Sequence, residues 1–170
     1  MSDDEFLKAV LAHLDMLYGI ARGFGWSRQD AEDLVQETCA RALPAWRRRP
    51  PDRVRPWLAA VCLNTARQAH RRRLVRPPET LDGEPGIGLA SPLDTAEQAL
   101  ARVARDAVCR ALWQLTAGQR EAIALMDLCG FSAAQAAELM GVARGTVLAR
   151  VHRGRKRLAV LLEDEVAHEG

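Results

Sequence analysis

This sequence offers nothing from which to build a metal centre or a disulfide framework. Its four cysteines, Cys39, Cys62, Cys109 and Cys129, stand far apart, with no CxxC pair and no histidine at ligand spacing. Thiols placed among apolar neighbours read as buried, and they fit a reducing compartment. Lysine is nearly missing too: arginine outnumbers it 22 to 2, so an arginine where lysine would serve says little by itself. No apolar run reaches membrane-spanning length and no signal peptide opens the chain, so a cytoplasmic location is expected. A nucleophile–base pair and a phosphate-binding glycine loop are both lacking, which argues against an enzyme; no cofactor and no metal is expected.

Aromatics make up only 5% of the 170 residues, while alanine and leucine abound, and that favours helix. The formal net charge of +2 hides blocks of opposite sign: residues 1–45 carry −4, residues 46–76 carry +9, residues 77–101 have five acids and no base, and residues 102–170 carry +2. Blocks like these suit different partners on different faces, with a basic surface for phosphate. "PPETLDGEPGIGLASPLD" holds four prolines and three glycines in eighteen residues and cannot sustain a helix. The expected architecture is all-α: a helical domain over 1–76, a flexible acidic linker over 77–94, and a second helical domain over 95–170.

Apolar residues at three- and four-residue steps predict one helix through "FLKAVLAHLDMLYGIARGFG". A second, capped by Ser27, runs through "RQDAEDLVQETCARALPAW", with Pro44 bending or ending it. A third follows Pro56, its buried stripe expected along Trp57, Leu58, Val61, Cys62, Thr65 and Ala69. In the second half a helix spans about Thr95 to Gln114. Thr116 with Gln119, then Ser132 with Gln135, make capping-box pairs for two more. The last helix starts near Ala143.

Ser132 to Val151 has the spacing of a helix-turn-helix. Ala137 is small where the helices cross, Gly141 can take the left-handed turn, and Met140, Val142 and Val147 fill between them. An ordinary helical hairpin ending in glycine shares that pattern. With Val147, Val151, Gly154 and Leu158 inward, the last helix presents Arg144, Thr146, Arg150, Arg153 and Lys156 outward, able to meet guanine edges or phosphates; solvated charge is equally open for Arg155 and Arg157. On the second helix Asp33, Gln36 and Glu37 share a stripe suited to a basic protein partner, although acids there also suit the helix dipole. The third combines Trp57, Asn64, Arg67, Gln68, His70 and Arg71 to Arg73, a mixture that suits opened nucleic acid. The other reading makes Trp57 a core residue and His70 a solvated one.

"DAEDLVQET", "RPWLAAVCLNTARQAHRRR", "LTAGQREAIAL" and "GVARGTVLARVHRGRKRL" together resemble, in order, the motifs of bacterial extracytoplasmic-function sigma factors of the sigma-70 family. The resemblance implies two domains, sigma region 2 and region 4, and a non-enzymatic subunit that directs core RNA polymerase to promoters and assists their melting. It implies that Asp33, Gln36 and Glu37 dock on the clamp of the largest polymerase subunit. Trp57, Asn64, Arg67, Arg71 and Arg72 would take the unpaired −10 element, and Arg144, Thr146, Arg150, Arg153 and Lys156 the duplex −35 element. An anti-sigma factor is an implied partner. This chain departs from the family's usual pattern at Leu148 and Ala149, where Lys-Ser is common, at Ala143, and at Leu63 and Gln68. Two other readings stand beside it: a DNA-binding regulator that never joins polymerase, and a helical thiol sensor using the four cysteines.

Overall fold

The computed structural model describes residues 2–75 and 95–169. The linker expected over 77–94 lies outside the described residues. Every regular element among the described residues is helical. The first half comprises α1 (Asp3–Ala12), α2 (Leu14–Gly23), α3 (Arg28–Arg48) and α4 (Val54–Val75).

The expected single first helix is two. His13 leaves helical geometry at φ −116°, ψ 16°. The break lets α1 lay Phe6 edge-on against Trp46 of α3 at 5.6 Å, while α2 turns Leu17, Ile20 and Ala21 fully inward. A straight helix could not present both faces to the same core. Pro44 does not end α3, which continues to Arg48. The carbonyl it would strand belongs to Ala40, which is exposed and so hydrated. The Ser27 hydroxyl accepts from the Asp30 amide at 3.2 Å, as a cap should. Along α4 the fully buried positions are Leu58, Ala59, Cys62, Leu63, Thr65 and Ala66; Trp57, Val61 and Ala69 are only half-buried. The buried stripe is therefore rotated slightly from the expected one.

The second half comprises α5 (Ala96–Trp113), α6 (Ala117–Ile123), which runs into a π-helical turn at Ala124–Leu128, then α7 (Ala133–Met140) and α8 (Arg144–Glu169). Capping boxes start α6 at Thr116 and α7 at Ser132, and a further one starts α5 at Thr95. Arg120, 3% exposed, donates to the carbonyls of Leu112, Trp113 and Leu115 at 2.8–3.0 Å. It thereby closes the C-terminus of α5, whose last carbonyls have no partner within the helix.

The halves do not stand apart. One buried apolar cluster runs from Phe6 in α1 to Val151 in α8. Its seam is α2 against α6 and the π turn, where Gly23 comes so near that an added Cβ would sit 2.4 Å from the Ala124 Cβ. Only glycine allows that approach. The fold is all-α as expected, with a closed packing of the halves that periodicity could not show.

Candidate nucleic-acid interface

Helices α7 and α8 form the expected pair. Gly141 takes φ +70°, the left-handed turn between them, and the Val142 amide bonds back to the Ala137 carbonyl at 3.1 Å. Ala137, Met140, Val147 and Val151 are buried at the crossing. With that side of α8 used for packing, Arg144, Thr146, Arg153 and Lys156 are exposed on the remainder. Arg150 behaves differently. It is half-buried and lies over Gly118 at the start of α6, so closely that a Cβ there would meet its Nε at 2.8 Å. Arg155, considered as solvated charge, instead grips Asp127 at 2.5 Å and 2.9 Å. Four of the five predicted α8 residues thus face solvent, and the fifth folds back on its own domain.

On α4, Trp57, Asn64, Gln68 and Arg71 follow one face at seven-, four- and three-residue steps, over about 21 Å of helix. Asn64, Gln68 and Arg71 are exposed. Trp57 is half-buried with its ring 6.1 Å from that of Trp46, so it is both core and surface. Arg67 points elsewhere: its guanidinium makes a bidentate bridge to Glu121 of α6 at 2.6 Å and 2.7 Å, with the glutamate side chain 8% exposed and the arginine 29%. Arg72 leans on Glu37 at 3.3 Å.

The acidic stripe of α3 is real but already partly neutralised. Asp33 and Gln36 are exposed, and Glu37 is half-buried beneath Arg41 at 2.6 Å and Arg72. Arg73 pairs with Asp30 at 2.8 Å. Asp30, Asp33 and Glu37 therefore line a shallow cleft together with Trp26, Arg72 and Arg73. Exposed ion pairs of this kind contribute about 0–1 kcal/mol and yield readily to another partner.

Between the halves lies a polar clasp that the sequence reasoning missed. Besides Arg67–Glu121, Arg55 of α4 donates to the Cys129 carbonyl at 2.5 Å and stacks over the Phe131 ring at 3.9 Å. His70, read earlier as a possible solvated residue, is wedged edge-on to Trp113 at 4.8 Å, with Nε2 3.3 Å from Arg120 and a buried Nδ1 lacking any partner. Burial lowers its pKa, and the neighbouring Arg120 and Arg73 charges add to the lowering. These partners are separated by more than forty residues in the chain, so no local pattern announces them.

Burial disfavours the thiolate form of all four cysteines. Burial pushes Cys62 up to about 12 and Cys129 up to about 11, and it raises Cys39 and Cys109 as well. Among the described residues no cluster of His, Cys, Asp or Glu is arranged to hold a metal ion, and no helix is long and apolar enough to cross a membrane.

A helical protein with a helix-turn-helix at one end and a basic, aromatic-edged helix at the other belongs among proteins that engage nucleic acid. The comparisons make this specific. The family models for Sigma-70 region 2 and for Sigma-70, region 4 match residues 9–74 and 105–158. The sigma factor CnrH of Cupriavidus metallidurans is 35% identical over 93% of this chain and 86% of its own length. The extracytoplasmic-function sigma factor EcfG of Rhodopseudomonas palustris is 33% identical over 94% of this chain and 86% of its own. Among solved structures, CnrH in complex with the cytosolic domain of CnrY superposes with TM-score 0.68 and 28% identity, covering 96% of this chain and 90% of that one. RpoE in complex with the anti-sigma factor NepR, from Bartonella quintana, gives TM-score 0.68 and 29% identity over 94% and 97%. This chain belongs to the sigma-70 family, in its extracytoplasmic-function branch, and is a sigma factor of transcription initiation. Such factors are regulators, not enzymes.

Proposed function

We propose that this chain is a promoter-specificity subunit that joins core RNA polymerase in the cytoplasm, selects a subset of promoters and assists their melting. In this reading residues 1–76 are the polymerase- and −10-binding domain, 77–94 a linker, and 95–170 the −35-binding domain. Asp33, Gln36 and Glu37 dock on the clamp of the largest polymerase subunit, exchanging their weak pairings with Arg41 and Arg72 for basic groups of the clamp. Trp57, Asn64, Arg67, Arg71 and Arg72 hold the unpaired −10 strand, bases stacking on the aromatic and phosphates pairing with the arginines. Arg144, Thr146, Arg150, Arg153 and Lys156 position α8 in the −35 major groove.

The observation that carries this reading is the combination in one chain of the α3 acidic stripe beside the Trp57–Arg71 face and an exposed helix-turn-helix a hundred residues away. A regulator acting alone has no use for the first. Reading of −10 DNA by Arg67 requires its bridge to Glu121 to open, so the closed packing is a state that binding must undo. One solved neighbour, RpoE, is in complex with the anti-sigma factor NepR, and an anti-sigma factor that favours this closed packing is the natural antagonist of the chain.

The test is co-purification with core polymerase. The unaltered chain should bind. Asp33→Arg with Glu37→Arg should bind far more weakly while remaining folded, the lost pairings of Glu37 with Arg41 and Arg72 costing about 1–2 kcal/mol of stability. Unchanged affinity in the double variant would remove α3 from the interface; no binding by the unaltered chain would favour the free-standing regulator.

A further inference from the structure

The outer face of α8 is more apolar at its start than a polar groove-reading helix needs to be. With Val147, Val151 and Gly154 buried, helical geometry turns Gly145, Ala149 and His152 to the opposite side. Leu148 stands on the flank of that side and is 41% exposed. Nothing lies within 4 Å of a Cβ built at Gly145, so this surface is open. Gly145, Leu148 and Ala149 offer no side-chain donor or acceptor over the first two turns, while Arg144 on one edge and Thr146 and Arg153 on the other frame them with polar groups. The exposed valines of α8, Val160 and Val166, lie far along the helix, away from its N-terminal turns.

We propose that Leu148 is a specificity-determining residue that reads the C5-methyl group of thymine in the duplex major groove. The inference rests on the reading of α8 as the −35 helix. Of the groups base pairs present in that groove, the thymine methyl is the apolar one; the others are donors and acceptors. A leucine cannot bond to guanine O6 and N7 or to adenine N7 and N6, so pressing it on those edges dehydrates them without replacement. Against thymine it removes two apolar surfaces from water together. Gly145 and Ala149 add the close approach this needs, since neither holds the helix off the groove floor. The flanking arginines supply phosphate contacts that fix register without adding sequence information. The −35 element of this factor therefore contains at least one thymine whose methyl group faces Leu148.

The experiment uses the full chain assembled with core polymerase, on a promoter located by mapping its transcript starts. Thymines of the −35 element are replaced one at a time by deoxyuridine, which lacks the methyl and keeps every hydrogen-bonding group. At one or two positions the holoenzyme should bind about three- to fivefold more weakly, the worth of one buried methyl. Leu148→Ala should weaken binding to the thymine template by a similar factor and respond to uracil at none of those positions. Equal affinity for thymine and uracil throughout, or discrimination retained by Leu148→Ala, overturns the proposal. Scrambling the whole −35 element separates the two levels. If scrambling leaves initiation unchanged, α8 reads no −35 element and both ideas fall; if scrambling weakens initiation but uracil does not, only the role of Leu148 falls.

Discussion

The bridge between Arg67 and Glu121 gives the sharpest quantitative test of the closed packing. The pair is bidentate at 2.6 Å and 2.7 Å, and the carboxylate is almost wholly covered. Charge-assisted hydrogen bonds contribute about 1.5–3 kcal/mol, and stripping one partner from a covered pair costs more because the other is left unpaired. Here that penalty is moderated, since the Arg67 side chain is 29% exposed and can rehydrate when the halves part. The coupling between the residues should therefore be about 1.5–3 kcal/mol, a shift of roughly ten- to 150-fold in the docking equilibrium. A double-mutant cycle of Arg67→Met and Glu121→Gln isolates it. Docking can be followed by energy transfer between dyes on Lys8 and Lys156, the chain's two lysines, one in each half. Each single variant should favour the open form, and the double variant should be less open than the sum of the two. Additivity within about 0.5 kcal/mol would refute the bridge as a determinant of the packing.

Three further outcomes follow from the same seam. His70 has its pKa lowered in the closed form by burial and by Arg120 and Arg73, with Glu121 opposing. Its favourable contribution is full above its unfolded pKa of about 6.5 and is lost as pH falls through the depressed folded value. Acidification from pH 7.5 to 5.5 should therefore loosen the halves, and His70→Gln should flatten that response; an unchanged pH profile would remove His70 from it. Gly23→Ala should separate the halves without touching any charge, because its Cβ would overlap that of Ala124, at a cost of about 1–3 kcal/mol; transfer efficiency equal to wild type would show that the seam can yield. Iodoacetamide at pH 8 should label the native chain slowly at Cys62 and Cys129, held at about 12 and about 11, and rapidly after unfolding; fast native labelling would revive the thiol-sensor reading.

Local features were legible in the sequence. Caps at Ser27, Thr116 and Ser132, the left-handed Gly141 and the inward Val147 and Val151 each depend on residues a turn or two apart, where sequence order and spatial order coincide. The outward set on α8 followed from the same periodicity. What escaped was set by partners distant in the chain. The break at His13 exists because α1 must reach Trp46 while α2 serves the α4 side, and Pro44 is tolerated because the Ala40 carbonyl meets water. Arg67 was assigned wholly to nucleic acid because its partner Glu121 lies 54 residues away. Arg150 was placed outward by its helical position, yet Gly118 leaves a hollow that its side chain fills.

The central claim is that this chain confers promoter selection on core RNA polymerase, and run-off transcription tests it most directly. Core enzyme with the full chain, supplied with genomic fragments, should start at a small set of discrete positions that share two spaced elements. The Asp33→Arg, Glu37→Arg variant should lose those starts. Core enzyme that initiates no differently with the chain than without it, under conditions where the chain is folded, would contradict the account.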